Sequence, residues 1–536
     1  MTAGYVCRPD GSRFRVIEGG YKDTCPEGVS VPRLPQLVTG ASELAGEMGA
    51  LYALSLVREV PFAALGNPHH VVTVDRRTHF TLHELLCELR SLSFFEGASS
   101  TDQALCFAPA TASREGGEDL ERRRQARLNG DGQLTLRTLL RGRRGAVAGG
   151  LETSAFHAED LPDAGRYGGC DKMDEAQVPA TPERMPGPDA PMSRWLAWIE
   201  MSTGARLSLP GQSPGLAARP VSPLELALRS QSAHPCRVHY NAALRLLAQG
   251  VGFAPGLAVS QIAGSAFEGG AERPFSSQKA LSLMVETAQL GLGAAMRQAG
   301  RSNQMSRPGV QAARLTAALA SPDRRGRTPS QSAARDVVEG AARELAERAP
   351  NLLRWIDRLN RERGVAREGS TLLLLPSMPR VPATPGSLPP ERVNEAASVV
   401  IAGALSTLLK AVFDTGQDAR LRLAGRQGGG IDIAREADRL ASDAVLARLV
   451  TGSGFHAEAQ RELRLGEAIA VQMLRGRLQR LGGARSLGFT DFDGREAWLG
   501  VAPITRGAHH VSFRRSGRPA PWPMETLCSG PRLAVI

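Results

Sequence analysis

The chain has 536 residues, 42% of them hydrophobic and 22% charged, enough apolar material for one large core or two and too much for a disordered polymer. Its formal net charge is +11, from 65 Lys and Arg against 54 Asp and Glu, and only four of the bases are lysines: Lys22, Lys172, Lys279 and Lys410. Arginines spread along the whole chain, rather than gathered in a stripe, argue against a nucleic-acid-binding protein.

Residues 1–40 are rich in Gly and Pro, with alternation in SRFRVIEGG, and read as an extended arm. No apolar run follows a basic start, so no signal peptide is read and a cytoplasmic protein is expected. From Ser42, Leu44, Met48, Leu51, Leu54 and Val57 recur at helical spacing until the chain meets Pro61. Phe80–Phe95 reads as a second amphipathic helix. Ser113–Gln133 reads as a solvated charged loop. Gly149–Pro191 mixes Gly, Pro, Asp and Glu without period and is expected to be a flexible insert without chemistry. Val238–Gly256 and Ser276–Gly300 are helical again, and a break at Ser321–Ser332 leads to a stretch whose charges alternate on an exposed face. Pro376–Pro390 is a stiff loop. Core helices follow from Ala396 and Ala457, and Gly488–Val501 reads as a strand pair. Ala396–Leu409 runs 14 residues before Lys410, short of the ~20 a membrane span needs. The seven cysteines have no metal-binding spacing. The pattern predicts an all-α fold with one helical domain over 41–515 and a tail over 516–536.

The most informative stretch is Leu440–Glu467, LASDAVLARLVTGSGFHAEAQRELRLGE. Its start resembles the helix that delivers an arginine to the pocket of vanadium-dependent haloperoxidases of the bromoperoxidase-like branch, in the acid phosphatase/haloperoxidase superfamily. Its end, LRLGEAIAV, resembles the helix after that family's vanadium-binding histidine. The string Arg58, Glu59, Val60, Pro61, Phe62, the segment Val238–Gly256 and the helix Ala402–Asp414 resemble the family too, and Leu134–Gly142 resembles the turn before its central bundle. The resemblance extends over about Ala41–Val511 and implies paired four-helix bundles in one large domain, with minor strands near the termini.

Ungapped counting puts Arg448 on the family arginine, Gly452 on its glycine, and Gly454 where the vanadium-binding histidine stands. Arg307-Pro308 matches the family's RP, but its lysine falls on Ala299, beside Gln298. In the second loop Ser398 stands on the family's acid-base histidine, Ala397 on its glycine, Ala396 on its serine and Glu395 on its proline. Serine does not titrate near neutrality, and a carboxylate at Glu395 repels an oxyanion. The resemblance therefore implies a haloperoxidase-like protein that has lost vanadate-dependent halide oxidation and keeps Arg307 and Arg448 as an anion-binding pair. No cofactor is expected, vanadate entering only if the motif alignment is wrong.

Two alternatives stand beside this reading. One is a vanadium-independent enzyme acting on an organic metabolite, with Ser398, Glu395 and His456 as catalytic candidates; the other is a non-catalytic structural or partner subunit. Expected partners are a small molecule or oxyanion and further copies of the chain, with no membrane and no nucleic acid. The plainer interpretation makes His456 a cap-region residue and pairs Arg307 and Arg448 with carboxylates such as Glu467 or Glu286. The His69-His70 and His509-His510 pairs diverge too far to chelate, and Gly425–Asp432 lacks the lysine of a phosphate loop.

Overall fold

A computed structural model describes residues 6–7, 13–14, 39–96, 114–147, 150–157, 219–232, 234–248, 250–257, 275–299, 307–320, 329–364, 372–376, 378, 392–415, 431–481, 485–503 and 509–528. Most of the 1–40 arm, residues 158–191 of the insert, most of the proline-rich loop and most of Gly425–Asp432 lie outside them. The fold is all-α. Helix α1 (Ala41–Val57) is buried on every side, consistent with its apolar composition, and its two acidic residues, Glu43 and Glu47, go inside with it. Strands β1 (Val6–Cys7) and β2 (Arg13–Phe14) form one short antiparallel pair, and helix α2 (Leu82–Arg90) follows another, β3 (Val71–Thr73) and β4 (His79–Thr81). Its start is a capping box, with the Thr81 hydroxyl accepting from Glu84 N–H and the Glu84 carboxylate accepting from Thr81 N–H.

The expected charged loop is instead helix α3 (Arg114–Gln125), and the expected turn is helix α4 (Leu136–Val147), kinked at Gly142 with φ 64°. The first has no apolar stripe to announce it. Two of its arginines turn inward, Arg123 onto the buried Glu43 and Arg124, whose guanidinium pairs with Glu121 of the same helix. Helices α5 (Pro223–Ser232), α6 (Arg237–Ala248), α7 (Ser277–Ala299), α8 (Pro308–Ala320), α9 (Pro329–Arg348) and α10 (Pro350–Glu362) follow. The long helices α11 (Arg392–Val412), α12 (Ile433–Val450) and α13 (His456–Leu481) complete the bundles.

Two hydrophobic cores result. One lies among α6, α7, α11 and α13; the other gathers α1, α2, α9 and α10 against α12. Helix α12 serves both, giving Ala437 and Leu440 to the first and Ala441 and Val445 to the second. Helices α11 and α13 cross on glycine. A Cβ at Gly403 would stand 2.3 Å from Leu463 O, and one at Gly466 would stand 2.1 Å from Val400 O.

The strand pair grows into a four-stranded antiparallel sheet, β5 (Arg485–Thr490), β6 (Glu496–Pro503), β7 (His509–Arg515) and β8 (Arg518–Pro519). Helix α14 (Pro523–Cys528) then returns Met524 to the first core, so 516–528 belongs to the folded body rather than to a tail. Lys410 fastens the sheet to α11: its buried ammonium donates to Asp438 Oδ1 at 2.7 Å and Thr490 O at 2.6 Å and lies 4.1 Å over the Phe492 ring. Among the described residues no helix is long and apolar enough to cross a membrane.

Candidate functional site

Helix α12 ends in a tight turn that leads directly into α13. Thr451 N–H bonds back to Ala447 O and Gly452 N–H to Leu449 O, and Gly452 takes the left-handed conformation, φ 67°, that such an end requires. The hydroxyl of Thr451 closes the turn on Arg448 O at 2.7 Å. This geometry folds residue 454 back over the last turn of α12. A Cβ at Gly454 would stand 2.4 Å from Arg448 Nε, so the guanidinium occupies the space in which a side chain at 454 would begin.

The charge on Arg448 is met inside the protein by an ion pair with Glu462 of α13, both side chains almost wholly buried. The partner is Glu462 rather than the anticipated Glu467, which instead accepts from Arg464 at 2.7 Å and Phe492 N–H at 2.8 Å. Arg307 is exposed just before Pro308, its carbonyl accepting from Gln311 N–H at the start of α8. Ala299 is the last residue of α7, Glu395 lies in the first turn of α11, and Ser398 is half-buried on the same helix. The structure thus brings Arg448, Gly454 and Glu462 together and leaves Arg307 facing solvent.

His456 is the first residue of α13 and is buried. Its N–H donates to Glu47 Oε2 at 2.9 Å, and its ring Nε2 lies 3.5 Å from Gln460 Nε2. Burial, reinforced by the Arg127 charge, pushes the imidazole well below the usual histidine range, so it is neutral near pH 7. Burial raises the Glu47 carboxyl, against the lowering effects of Arg127 and the His456 and Ala457 N–H groups.

A second polar cluster was missed by sequence reasoning. Asp443, in the same LASD segment, forms a buried ion pair with Arg141 and accepts from Ser154 N–H at 2.8 Å, with His157 Nε2 at 3.1 Å. Glu436, two turns earlier, accepts from Ala155 N–H at 2.7 Å and Ser154 Oγ at 3.0 Å. Residues 153–156, expected to be part of a solvated insert, are therefore buried against α12. Burial works to raise the Asp443 carboxyl, but Arg141, His157 and Ser154 N–H hold it down at about 2. Nearby, His239 Nε2 lies 3.1 Å from Ser406 Oγ, and burial pushes this imidazole down to about 3. A base that weak does not activate a serine at neutral pH, so the pair reads as a tie between α6 and α11. The one available signal was that Asp443 lies on the buried side of a helix, where a carboxylate needs partners.

Among the described residues no group of three or more His, Cys, Asp and Glu could hold a metal ion. A surface groove of about 440 Å³, lined by Glu59, Pro61, Val71, Leu359 and Arg363 among others, lies between the end of α1, β3 and α10. It contains none of the expected site residues.

No family model matches the chain, and no curated protein matches it. Among solved structures it is similar to a vanadate-dependent bromoperoxidase. That protein is the homohexameric AnII of Ascophyllum nodosum, at 14% identity and TM-score 0.49, covering 92% of this chain and 75% of the other.

Proposed function

We propose that this protein is a haloperoxidase-like helical scaffold that has lost vanadate-dependent halide oxidation. The observation that carries the reading is the commitment of Arg448 to Glu462 over the bare backbone of Gly454. Vanadate is an oxyanion, and holding one in an interior takes uncompensated cations and, in the family this chain resembles, an imidazole nitrogen on the metal. Position 454 offers no side chain. Arg448, the buried cation in contact with that position, is already neutralised, and the carboxylate that neutralises it would repel an incoming oxyanion. Arg307, the other arginine of the expected pair, is exposed and spends its charge in water. These residues do not fit vanadate, and no reaction step is assigned to it.

The test is direct. Purified protein is incubated with orthovanadate, bromide, hydrogen peroxide and a dye that bromination discolours, and the rate is compared with a vanadate-free control. The expected rate equals the control. Vanadate-dependent turnover that Arg448→Ala abolishes would overturn the reading.

A further inference from the structure

Arg127 lies just beyond α3, in the stretch expected to be solvated, yet only 1% of it is exposed. Its Nε, Nη1 and Nη2 all lack a hydrogen-bond acceptor. A guanidinium carries five N–H donors and a fixed charge, and leaving it both dry and unbonded is among the costliest arrangements a protein interior can hold. Buried donors of this kind call for an acceptor, and a molecule from outside the chain, water or an anion, can supply it.

Its surroundings are defined by backbone. Ala126 O accepts from Arg143 N–H at 2.8 Å, which brings residue 126 against the kink in α4. A Cβ at Gly142, within that kink, would stand 3.4 Å from Ala126 O and 3.1 Å from His456 Nε2. Residues 126–127, the α4 kink and the His456 ring are therefore neighbours, with the Gln460 amide behind the ring. Glu47 is the carboxylate that faces this region, but its Oε2 is engaged by His456 N–H at the start of α13, and it makes no hydrogen bond to Arg127. Helix α13 also directs its positive end here.

The geometry points to a buried binding site for a small oxyanion, of the phosphate or carboxylate type, held on the fork of Arg127 and bordered by His456 and Gln460. A planar guanidinium with every donor unspent matches two oxygens of such an anion. Arg448 is not counted among the donors, since Glu462 already meets its charge.

The experiment measures the thermal unfolding midpoint of the full-length protein during titration with sodium phosphate or sodium formate, against sodium chloride at equal ionic strength. The expected result is a saturable rise of roughly 2–4 °C with at least one of the two oxyanions. A phosphate response alone identifies a tetrahedral ligand, and a formate response alone a carboxylate. The rise persists in Arg448→Ala and disappears in Arg127→Met, which removes the fork of donors. Arg127→Lys keeps the charge without the fork and raises the half-saturating concentration severalfold, which preserves the test if the methionine variant does not fold. No saturable rise with either oxyanion, or an undiminished rise in Arg127→Met, overturns the proposal. Failure of Arg448→Ala to respond would place the anion at the other arginine and overturn it as well.

Discussion

The His456 N–H and the Glu47 carboxylate meet at 2.9 Å across 409 positions of sequence, so the start of α13 is capped by a side chain from the middle of α1. First-turn donors of a helix have no partner of their own, and inside a protein they must find one. Glu47→Ala is expected to cost about 1–3 kcal/mol, measured by urea unfolding, with Glu47→Gln losing less because its amide oxygen still accepts. The pH dependence has a defined sign. The folded carboxyl titrates above the ordinary 4.5, so the folded protein holds the extra proton and Glu47 lowers stability as pH rises from 4.5 through the folded value. Glu47→Gln removes that downward slope.

The pair Arg448 and Glu462 is predicted to behave as a buried unit. Arg448→Ala or Glu462→Ala alone should cost about 3–5 kcal/mol, since each leaves one charge stranded in the interior. The apolar double variant Arg448→Met with Glu462→Leu should recover most of that loss. Strictly additive losses in a denaturant double-mutant cycle would mean that the two side chains do not interact.

At Asp443 the prediction is an acid limb. The carboxyl titrates at about 2 rather than its ordinary 3.8, so its contribution of about 2 kcal/mol is present above pH 3.8 and is lost as pH falls toward 2. His239 acts over a higher window. Its ring, neutral in the fold down to about pH 3 against an ordinary 6.5, favours folding above pH 6.5 and progressively less as pH falls from there toward 3. Guanidinium midpoints collected across this range should decline in both windows. Asp443→Asn should lose only the lower one, at the expense of stability at pH 7, where Arg141 is left without its counter-charge.

The glycine crossing of α11 and α13 gives a steric prediction with its own control. Gly403→Ala and Gly466→Ala each drive a methyl group into a backbone carbonyl, at 2.3 and 2.1 Å, and should cost about 3 kcal/mol or prevent folding. Gly476, farther along α13, has nothing within 4 Å of its added Cβ, so Gly476→Ala should gain about 0.5–1 kcal/mol in the same thermal unfolding assay.

Legibility in the sequence followed periodicity. Helices α1, α7, α11 and α13 carry long apolar repeats and are found near their expected places, because a buried face must recur every third or fourth residue. The relation of Arg448 to Gly454 could be counted along the chain because one turn joins them. Glu462 could not be singled out as the partner, since two other glutamates fitted the same argument and only the packing of α13 on α12 chooses between them. Arg127 was concealed by its company: in a run of arginines nothing marks the one whose stem turns inward. Ser154 and His157 were concealed for the opposite reason, being a short docking segment without repeat whose partners lie nearly three hundred residues away, as the Ser154–Asp443 separation of 289 positions records.

The docking of residues 153–156 against α12 also constrains how the molecule comes into being. Asp443 lies 302 and 289 positions beyond the Arg141 and Ser154 it meets, so the arginine and the acid that neutralises it come from opposite ends of the sequence. A fragment ending before α12 would have to carry that cation into its interior uncompensated or keep the region open to water. In the folded protein the charge of Arg141 is met by an acid 302 positions farther along, so this part of the interior is closed by α12.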